Sequence, residues 1–199
     1  MKKILTAAIF ALLITASAAL AADIMLTTPT KTGGPSVLEA ISNRQSATVF
    51  ARRDVDLKEL STILWAATGK NREPKGWTIP LAMGQSPYVS VYVITKDGCF
   101  LYDWEKGMLK QTSDKKMLTK AGTQAFVGTA PVILVFTTKG SGPRIDNWAE
   151  IAVGAMSQNV YLAAEALDMK TRFVVSFNKM ALIDALNIGP LSRIIAIMP

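Results

Sequence analysis

Two side chains that suit an anion stand close together early in the chain. Arg44 carries a planar fork of N–H donors that matches the oxygens of a phosphate. Ser46, two residues later, carries a hydroxyl that can bind the same anion. This spacing predicts that the two side chains together cradle one phosphate group.

A buried helix is predicted directly downstream of this pair. Asp56 suits the N-cap, and Glu59 three residues later completes a capping box. Gly69 is expected to end the helix. Between them, apolar residues recur at helical spacing: Leu57, Leu60, Ile63, Leu64 and Ala67. The anion pair is therefore expected to lie in a loop that feeds an amphipathic helix.

Hydrophobic patterning predicts the other elements and, by itself, a mixed α/β single domain. A short helix is expected to start at Pro35 and Ser36, with Val37, Leu38 and Ile41 as its apolar stripe. The charged residues 70–76 are typical of a mobile loop. Strands are predicted at residues 88–95, 99–102, 130–137, 173–175 and 193–198, and further helices at residues 148–167 and 179–186.

The stretch over residues 44–69, which contains the anion pair and the helix after it, resembles the FMN-dependent nitroreductase family. The resemblance is to the branch that includes the thiazoline and oxazoline dehydrogenases. That branch reads Arg-Arg-Ser-x-Arg-x-Phe, followed by Leu-Trp-Ala-Ala-x-Gly, and residues 64–69 match the second pattern. Gln45 and Thr48 stand where arginines are usual, so the clamp has less positive charge. Three positions of the first pattern keep the family's residues: Arg44, Ser46 and Phe50.

A second loop also resembles this branch, in which Pro-Ser-Ala-x-Asn-x-Gln lies along the flavin ring just before a strand. Leu81 replaces the serine and Gly84 the asparagine, while Gln85 fits only if the loop is one residue shorter. The residues alone predict no more than a loop bounded by prolines. Three of its residues fit the family's pattern: Pro80, Ala82 and Met83.

The long helix gives the most specific match. The family reads Gly-x-x-x-Gln-Asn-x-x-Leu-Ala-Ala-x-x-Leu, and residues 154–167 fit it. Gln158 and Asn159 are adjacent amides that need partners if buried. They are predicted to bridge to neighbouring backbone or across a dimer interface, rather than to contact substrate. Asp168 replaces the usual glycine, so it must adopt a left-handed turn or the helix must end differently.

The resemblance implies an α+β fold with a mostly antiparallel central sheet flanked by helices, over residues 35–199. It implies a homodimer with FMN at its interface, NAD(P)H as a possible donor and a small organic molecule as electron acceptor. The implied cofactor-binding residues are Arg44, Gln45, Ser46, Thr48, Pro80, Leu81, Ala82, Met83, Gly84 and Gln85. No catalytic residue is assigned.

A second hypothesis is a nitroreductase-fold protein that has lost flavin binding and acts as an exported binding or structural protein. Three departures favour it. Thr48 removes a charge, Leu81 and Gly84 remove two side-chain contacts to the ring, and the chain stops at Pro199 where the family often places a basic residue.

Composition narrows the chemistry further. The 199 residues suit one domain, contain no histidine and include a single cysteine, Cys99. Serine and cysteine triads, histidine-containing zinc sites, thiolate clusters and intrachain disulfides are thereby excluded, and no metal site is predicted. Cys99 is expected to be partly buried rather than redox-active. Any enzymatic chemistry is expected to come from a cofactor.

The N-terminus predicts export to the periplasm or the medium. Lys2-Lys3, an apolar run over residues 4–16 and the A-x-A site at residues 19–21 form a signal peptide, with an uncleaved anchor as the alternative. Residues 22–34 are then an extended arm over the surface or a partner subunit. No other apolar run of spanning length follows, so the mature chain is not expected to stay inserted in a membrane.

The net charge is moderate. The full chain has 22 basic and 15 acidic residues, and without Lys2 and Lys3 the 20 remaining basic residues leave +5 in place of +7. These charges are scattered along the sequence rather than massed on one predicted face. With no aromatic-plus-basic module present, binding to nucleic acid is not predicted.

Overall fold

The computed structural model describes residues 23–73, 76–80 and 88–199. Two predictions fall outside these ranges. One is the signal peptide over residues 1–21. The other is the greater part of the loop implied to lie along a flavin ring, namely Leu81, Ala82, Met83, Gly84 and Gln85.

Eight strands build one sheet and one separate hairpin. They are β1 (Ile24–Met25), β2 (Lys70–Arg72), β3 (Gly76–Trp77), β4 (Val89–Thr95), β5 (Gly98–Asp103), β6 (Met108–Ser113), β7 (Ile133–Thr138) and β8 (Ile194–Met198). The main sheet has six strands in the order β1-β6-β5-β4-β7-β8, and every neighbouring pair is antiparallel. Strands β2 and β3 form the hairpin.

Helices cover both faces of this sheet. They are α1 (Val37–Asn43), α2 (Leu57–Thr68), α3 (Leu118–Ala121), α4 (Pro143–Ala166) and α5 (Lys179–Leu186), with a 3-10 helix at Ala125–Thr129. Residues of α2 and α4 form one core with one face of β4 and β7. Residues of α3, the 3-10 helix and α5 form a second core with the opposite face. The predicted α+β fold with an antiparallel central sheet is confirmed.

Helix α2 begins and ends where its sequence predicts. The Glu59 backbone N–H donates to the Asp56 carboxylate at 2.8 Å, and the Asp56 backbone N–H donates to the Glu59 carboxylate at 2.9 Å. At the other end the Gly69 N–H donates to the Trp65 carbonyl at 2.7 Å. Of its predicted apolar face, Leu57 in the first turn is 36% exposed, and the rest is buried: Leu60, Ile63, Leu64 and Ala67.

The N-terminal arm lies on its own chain. The Gln111 N–H donates to the Asp23 carboxylate at 3.1 Å, and β1 pairs with β6 at the edge of the sheet. Further along, the backbone N–H groups of Thr27 and Thr30 donate to hydroxyls of α2 at 3.1 and 2.9 Å. These contacts lie on the chain's own surface, which is one of the two positions predicted for the arm.

Three predicted elements differ in the structure. The predicted mobile loop at residues 70–76 is wrong at its ends, because Lys70 pairs with Trp77 in the β2-β3 hairpin. The predicted strand at residues 173–175 is reduced to one isolated bridge between Val174 and Ile197. The long helix starts at Pro143, five residues early, because proline at the first helical position needs no N–H partner there.

The apolar stripe of α1 faces outward. Val37, Leu38 and Ile41 are 67%, 78% and 49% exposed, and the only buried residue of this helix is Ala40. In α5, where the sequence pattern predicts that Ala181, Leu182 and Ala185 face inward, Leu182 and Ala185 are buried but Ala181 is exposed. Among the described residues, no helix has both the length and the apolar character needed to cross a membrane.

Candidate functional site

Helix α1 delivers Arg44 to the candidate site. The helix opens with a second capping box, in which Ser36 and Glu39 exchange hydrogen bonds of 2.7 and 3.3 Å. It ends at Arg44, whose backbone N–H donates to the Ala40 carbonyl at 2.9 Å. The backbone at Arg44 then turns to an extended conformation. The arginine is thus fixed at a helix end, and its side chain is half-buried.

The chain after Arg44 is held by the segment that follows α4. Ser46 forms a parallel bridge with Thr171, and the Ala47 N–H donates to the Thr171 carbonyl at 3.1 Å. The Thr171 hydroxyl in turn donates to the Pro199 carbonyl at 2.8 Å. The predicted anion loop is therefore tied to the C-terminal end of the sheet.

Tyr161 on α4 brings the two predicted anion ligands together. The Arg44 guanidinium carbon lies 5.2 Å from the centroid of the Tyr161 ring, within the range of a cation–π contact. The Tyr161 hydroxyl lies 2.8 Å from the Ser46 hydroxyl and accepts a 2.7 Å hydrogen bond from the Phe173 N–H. Arg44 and Ser46 therefore meet at one phenol.

Tyr161 is not among the residues that the sequence predicts for the site. A signal was present, because Tyr161 carries a hydroxyl on a helix face that is otherwise apolar and buried, and a buried tyrosine hydroxyl needs a partner. The sequence does not identify that partner, since Ser46 is 115 positions away along the chain.

The positive charge of Arg44 is not neutralised within its own chain. Over the described ranges, no carboxylate lies within ion-pair distance of its guanidinium. Arg53 contrasts with it, because Glu59 binds that guanidinium through two hydrogen bonds of 2.7 and 2.8 Å. This pairing raises the pKa of Arg53 and lowers that of Glu59. The guanidinium of Arg44 thus remains available to an anion.

Three further predicted site residues that the structure describes, Gln45, Thr48 and Pro80, lie outside this cluster. Gln45 and Thr48 are exposed on either side of Ser46, and Pro80 is exposed at the end of its described segment. No described hydrogen bond joins these three side chains to Arg44 or Ser46.

The two adjacent amides of α4 have different surroundings. Asn159 donates to the Ala66 carbonyl and to the Thr78 carbonyl, both at 3.0 Å, so its predicted bridge to neighbouring backbone is confirmed. Gln158 is exposed on its own chain, so its predicted contact across a dimer interface stays a prediction. Asn159 fixes Thr78, two residues before Pro80, against the long helix.

A cleft opens beside these contacts. It has a volume of about 360 Å³ and lies between α1, the end of α2 and α4. Its lining is mainly apolar, with Trp65 and Leu162 among its walls and Asn159 and Thr78 as polar members. In the described part of the chain, no group of three or more acidic, cysteine or histidine residues could hold a metal ion.

The sequence profile of the nitroreductase family matches residues 41–199, which include Arg44, Ser46, Asn159 and Tyr161. The chain belongs to the nitroreductase family. The match covers the sheet from β4 to β8 and helices α2 to α5. Membership of the branch with the thiazoline and oxazoline dehydrogenases is a narrower statement than this match supports.

Relatives and solved structures agree with family membership. A candidate nitroreductase of Methanocaldococcus jannaschii is 29% identical over 155 residues, which are 70% of this chain and 78% of that protein. The crystal structure of a candidate nitroreductase from Ralstonia eutropha aligns with a TM-score of 0.80 at 28% identity, covering 88% of this chain and 87% of that chain.

A third structure belongs to a candidate nitroreductase from Desulfovibrio desulfuricans in complex with FMN. It aligns with a TM-score of 0.60 at 22% identity and covers 85% of each chain. At this identity the likeness supports the nitroreductase fold.

Proposed function

We propose that this nitroreductase-family chain is an FMN-dependent oxidoreductase that passes electrons to a small organic acceptor. The observation that carries the proposal is the Arg44 guanidinium, half-buried over the Tyr161 ring, beside the Ser46 hydroxyl and without a carboxylate of its own. Such an arrangement suits a phosphate, because a guanidinium and a hydroxyl both donate hydrogen bonds to its oxygens.

The phosphate side of the site fits FMN and offers one main positive charge, that of Arg44. Arg44 and Ser46 would hold the phosphate, while Gln45 and Thr48 are exposed and can add only polar contacts. Since arginines are usual at both of these positions in the family, affinity in this chain depends more heavily on Arg44. This chain is expected to bind FMN more weakly than relatives that keep all three arginines.

The ring side of the site fits less completely. The loop over residues 80–85 would lie along the ring, and its start is held in place because Asn159 binds Thr78. The mainly apolar cleft of about 360 Å³ beside Thr78 offers space of the size that small-molecule sites occupy. An apolar wall of this kind would orient a flat ring and exclude water from it.

Bound FMN supplies the hydride and electron transfer, with NAD(P)H as a possible donor. The chain's own residues bind, orient and shield, and none of them is assigned a covalent step. The absence of histidine agrees with this division of labour. The motifs of residues 44–50 and 64–69 support placing the chain near the thiazoline and oxazoline dehydrogenases.

The directions of two side chains on α4 support a homodimer as part of the proposal. Side chains two residues apart on an α-helix point about 200° apart, so Asn159 and Tyr161 leave the helix in nearly opposite directions. Thr78 and Ser46 accordingly lie on different flanks of α4. A flavin that contacts both loops is best built from the clamp of one chain and the ring loop of a second copy.

The exposed face of α4 supports the same assembly. Ile151 is 61% exposed, and Gly154 and Gln158 continue the exposed stripe at helical spacing. Ile151→Glu is expected to convert a dimer into a monomer in sedimentation experiments. Val175→Glu, at a residue 69% exposed elsewhere on the chain, is the matched control and should remain dimeric. A wild-type chain that sediments as a monomer contradicts the homodimer.

Export is the remaining part of the proposal. The predicted cleavage after Ala21 leaves a mature chain whose described fold begins at Asp23, at the edge of the sheet. Periplasmic or secreted protein should therefore start at Ala22 when its N-terminus is sequenced. Protein found only in the cytoplasm with Met1 retained contradicts export.

Absorbance and titration test the flavin proposal. Purified mature chain should be yellow, or should bind added FMN with quenching of flavin fluorescence. Arg44→Ala should weaken binding by roughly 1.5 to 3 kcal/mol, the range for a hydrogen bond to a charged group. Arg52→Ala, at an exposed arginine later in the connection between α1 and α2, should leave the affinity unchanged. A colourless wild type that takes up no FMN refutes the proposal and supports a flavin-free binding or structural role.

A further inference from the structure

Tyr161 occupies a position from which one side chain can organise two predicted ligands of an anion, one through its hydroxyl and the other through its ring. Only 8% of the residue is exposed, and its ring lies under the Arg44 guanidinium. Its oxygen lies 2.8 Å from the Ser46 hydroxyl oxygen and 2.7 Å from the Phe173 nitrogen. The function proposed above assigns binding to Arg44 and Ser46 and leaves this phenol without a role.

The directions of these hydrogen bonds follow from counting hydrogens. The Phe173 N–H can only donate, so it uses one lone pair of the Tyr161 oxygen. Tyr161 and Ser46 each have one hydroxyl hydrogen for the contact between them. If Tyr161 donates to Ser46, the phenol is fully used and the Ser46 hydrogen is left to point elsewhere.

The opposite direction is less favourable. If Ser46 donates to Tyr161, the phenol hydrogen has no acceptor among the described contacts. A nearly buried hydroxyl with an unused hydrogen is destabilising, because it has lost water without gaining a partner. The chain of donation therefore runs from the Phe173 N–H to Tyr161 and from Tyr161 to Ser46.

We infer that Tyr161 is a positioning residue of the phosphate site: it accepts from Phe173, donates to Ser46 and thereby directs the Ser46 hydrogen outward, while its ring holds the Arg44 guanidinium. This inference rests on the function proposed above. It assigns the site a ligand group that accepts hydrogen bonds and carries negative charge, which is the chemistry of a phosphate monoester.

The role inferred for Tyr161 predicts different effects on the binding of two flavins that share the same ring. FMN carries the phosphate and riboflavin does not, so the Tyr161 hydroxyl should matter for FMN alone. A residue that only stabilises the core would affect both flavins equally. The ratio of the two affinities therefore reports on positioning rather than on folding.

Tyr161→Phe is the test variant, because it keeps the ring and removes only the hydroxyl. Fluorescence titration should show FMN affinity lowered by about fivefold or more, the scale of a lost hydrogen bond at a charged ligand, with riboflavin affinity unchanged. Tyr92→Phe is the matched control, since Tyr92 is 9% exposed and belongs to the core on the other face of the sheet. It should change neither affinity. Equal losses for both flavins, or no loss for FMN, overturn the inference.

A measurement without flavin keeps the two proposals separate. In denaturant unfolding of the flavin-free chain, the effects of Tyr161→Phe and Ser46→Ala should not add, because each variant removes the same hydroxyl pair. Additive effects overturn the inference whatever the flavin result. A wild type that binds neither flavin refutes the flavin function, whereas a wild type that prefers FMN while Tyr161→Phe keeps that preference refutes only the role of Tyr161.

Discussion

The side-chain amide of Asn159 donates a 3.0 Å hydrogen bond to the backbone carbonyl of Thr78. Its second hydrogen goes to the Ala66 carbonyl, also at 3.0 Å, so one side chain joins α4 to the end of α2 and to the strand that precedes Pro80. The position of Thr78, two residues before Pro80, therefore depends on a residue 81 positions away along the chain.

Asn159→Ala should destabilise the fold. Both carbonyls would lose their donor in a partly buried site, which predicts a loss of about 2 to 3 kcal/mol in the free energy of unfolding. Urea unfolding followed by circular dichroism measures it. Asn147→Ala, at an exposed position of the same helix, is the control and should change stability by less than about 0.5 kcal/mol. Equal effects of the two variants would show that the two hydrogen bonds of Asn159 do not contribute to the free energy of unfolding.

The charge of Glu59 should contribute to stability at neutral pH and not in acid. The bidentate contact with Arg53 and the bond from Asp56 lower the pKa of this carboxyl. A lowered pKa gives stability that is present above the unfolded value near ~4.3 and is lost as pH falls through the folded value.

Glu59→Gln isolates this charge, because glutamine can still complete the capping box. The variant should be modestly less stable than the wild type at pH 7, by an amount that salt reduces. The difference should shrink below about pH 4, where the wild-type carboxyl is protonated as well. Chemical unfolding at a series of pH values measures both. A difference that persists unchanged in strong acid contradicts the role of the charge.

Ionisation of Tyr102 should lower the stability of the fold at high pH. Burial, with a smaller effect of the Asp103 charge, raises its pKa from the usual 10.0 to about 12. Because the folded chain holds this proton more tightly than the unfolded chain, stability is full below pH 10 and falls as pH rises toward 12. Two pKa units correspond to a loss of about 2 to 3 kcal/mol.

Tyr102→Phe removes this ionisation. The difference in unfolding free energy between variant and wild type should be constant near pH 8 and should move in favour of the variant between pH 10 and 12. Absorbance of the phenolate near this range gives an independent titration of Tyr102. Parallel stability curves across this range would mean that Tyr102 ionises normally in the folded chain.

Cys99 should be unreactive in the folded chain. It is fully buried, and burial raises the pKa of its thiol, so little thiolate is available to attack a reagent. A chromogenic disulfide reagent should react with less than about a tenth of the thiol in native protein over minutes. The same protein in guanidinium should release one thiol per chain, since Cys99 is the only cysteine. Rapid reaction of native protein would revive a redox role for it.

Local signals were read correctly from the sequence. The capping residues Asp56 and Glu59 bind groups within three positions of themselves, so the bounds of α2 need no knowledge of the rest of the fold. Asp168, which replaces a glycine of the family, adopts a positive φ of 53°, one of the two outcomes expected for it. In each case the short-range backbone geometry decides the result.

Predictions that depended on neighbours were less successful. The apolar stripe of α1 was predicted from periodicity. Periodicity shows only that a helix has an apolar side and not what covers it. Ala40 alone packs inward, while Val37 and Leu38 remain exposed. The hairpin at Lys70 and Trp77 was missed for a related reason, because its charged residues form a strand only through their pairing.

The sequence by itself predicted Arg44 and Ser46 as an anion-binding pair. It determined that α2 runs between Asp56 and Gly69, and that no histidine or second cysteine takes part in the chemistry. Only the tertiary structure decided that Tyr161 joins that pair. The physical reason is the separation along the chain of the residues in contact. Caps and helix stops are made by hydrogen bonds within a few residues. The contact between Ser46 and Tyr161 exists only because the packing of α4 on the sheet brings their hydroxyl oxygens to 2.8 Å.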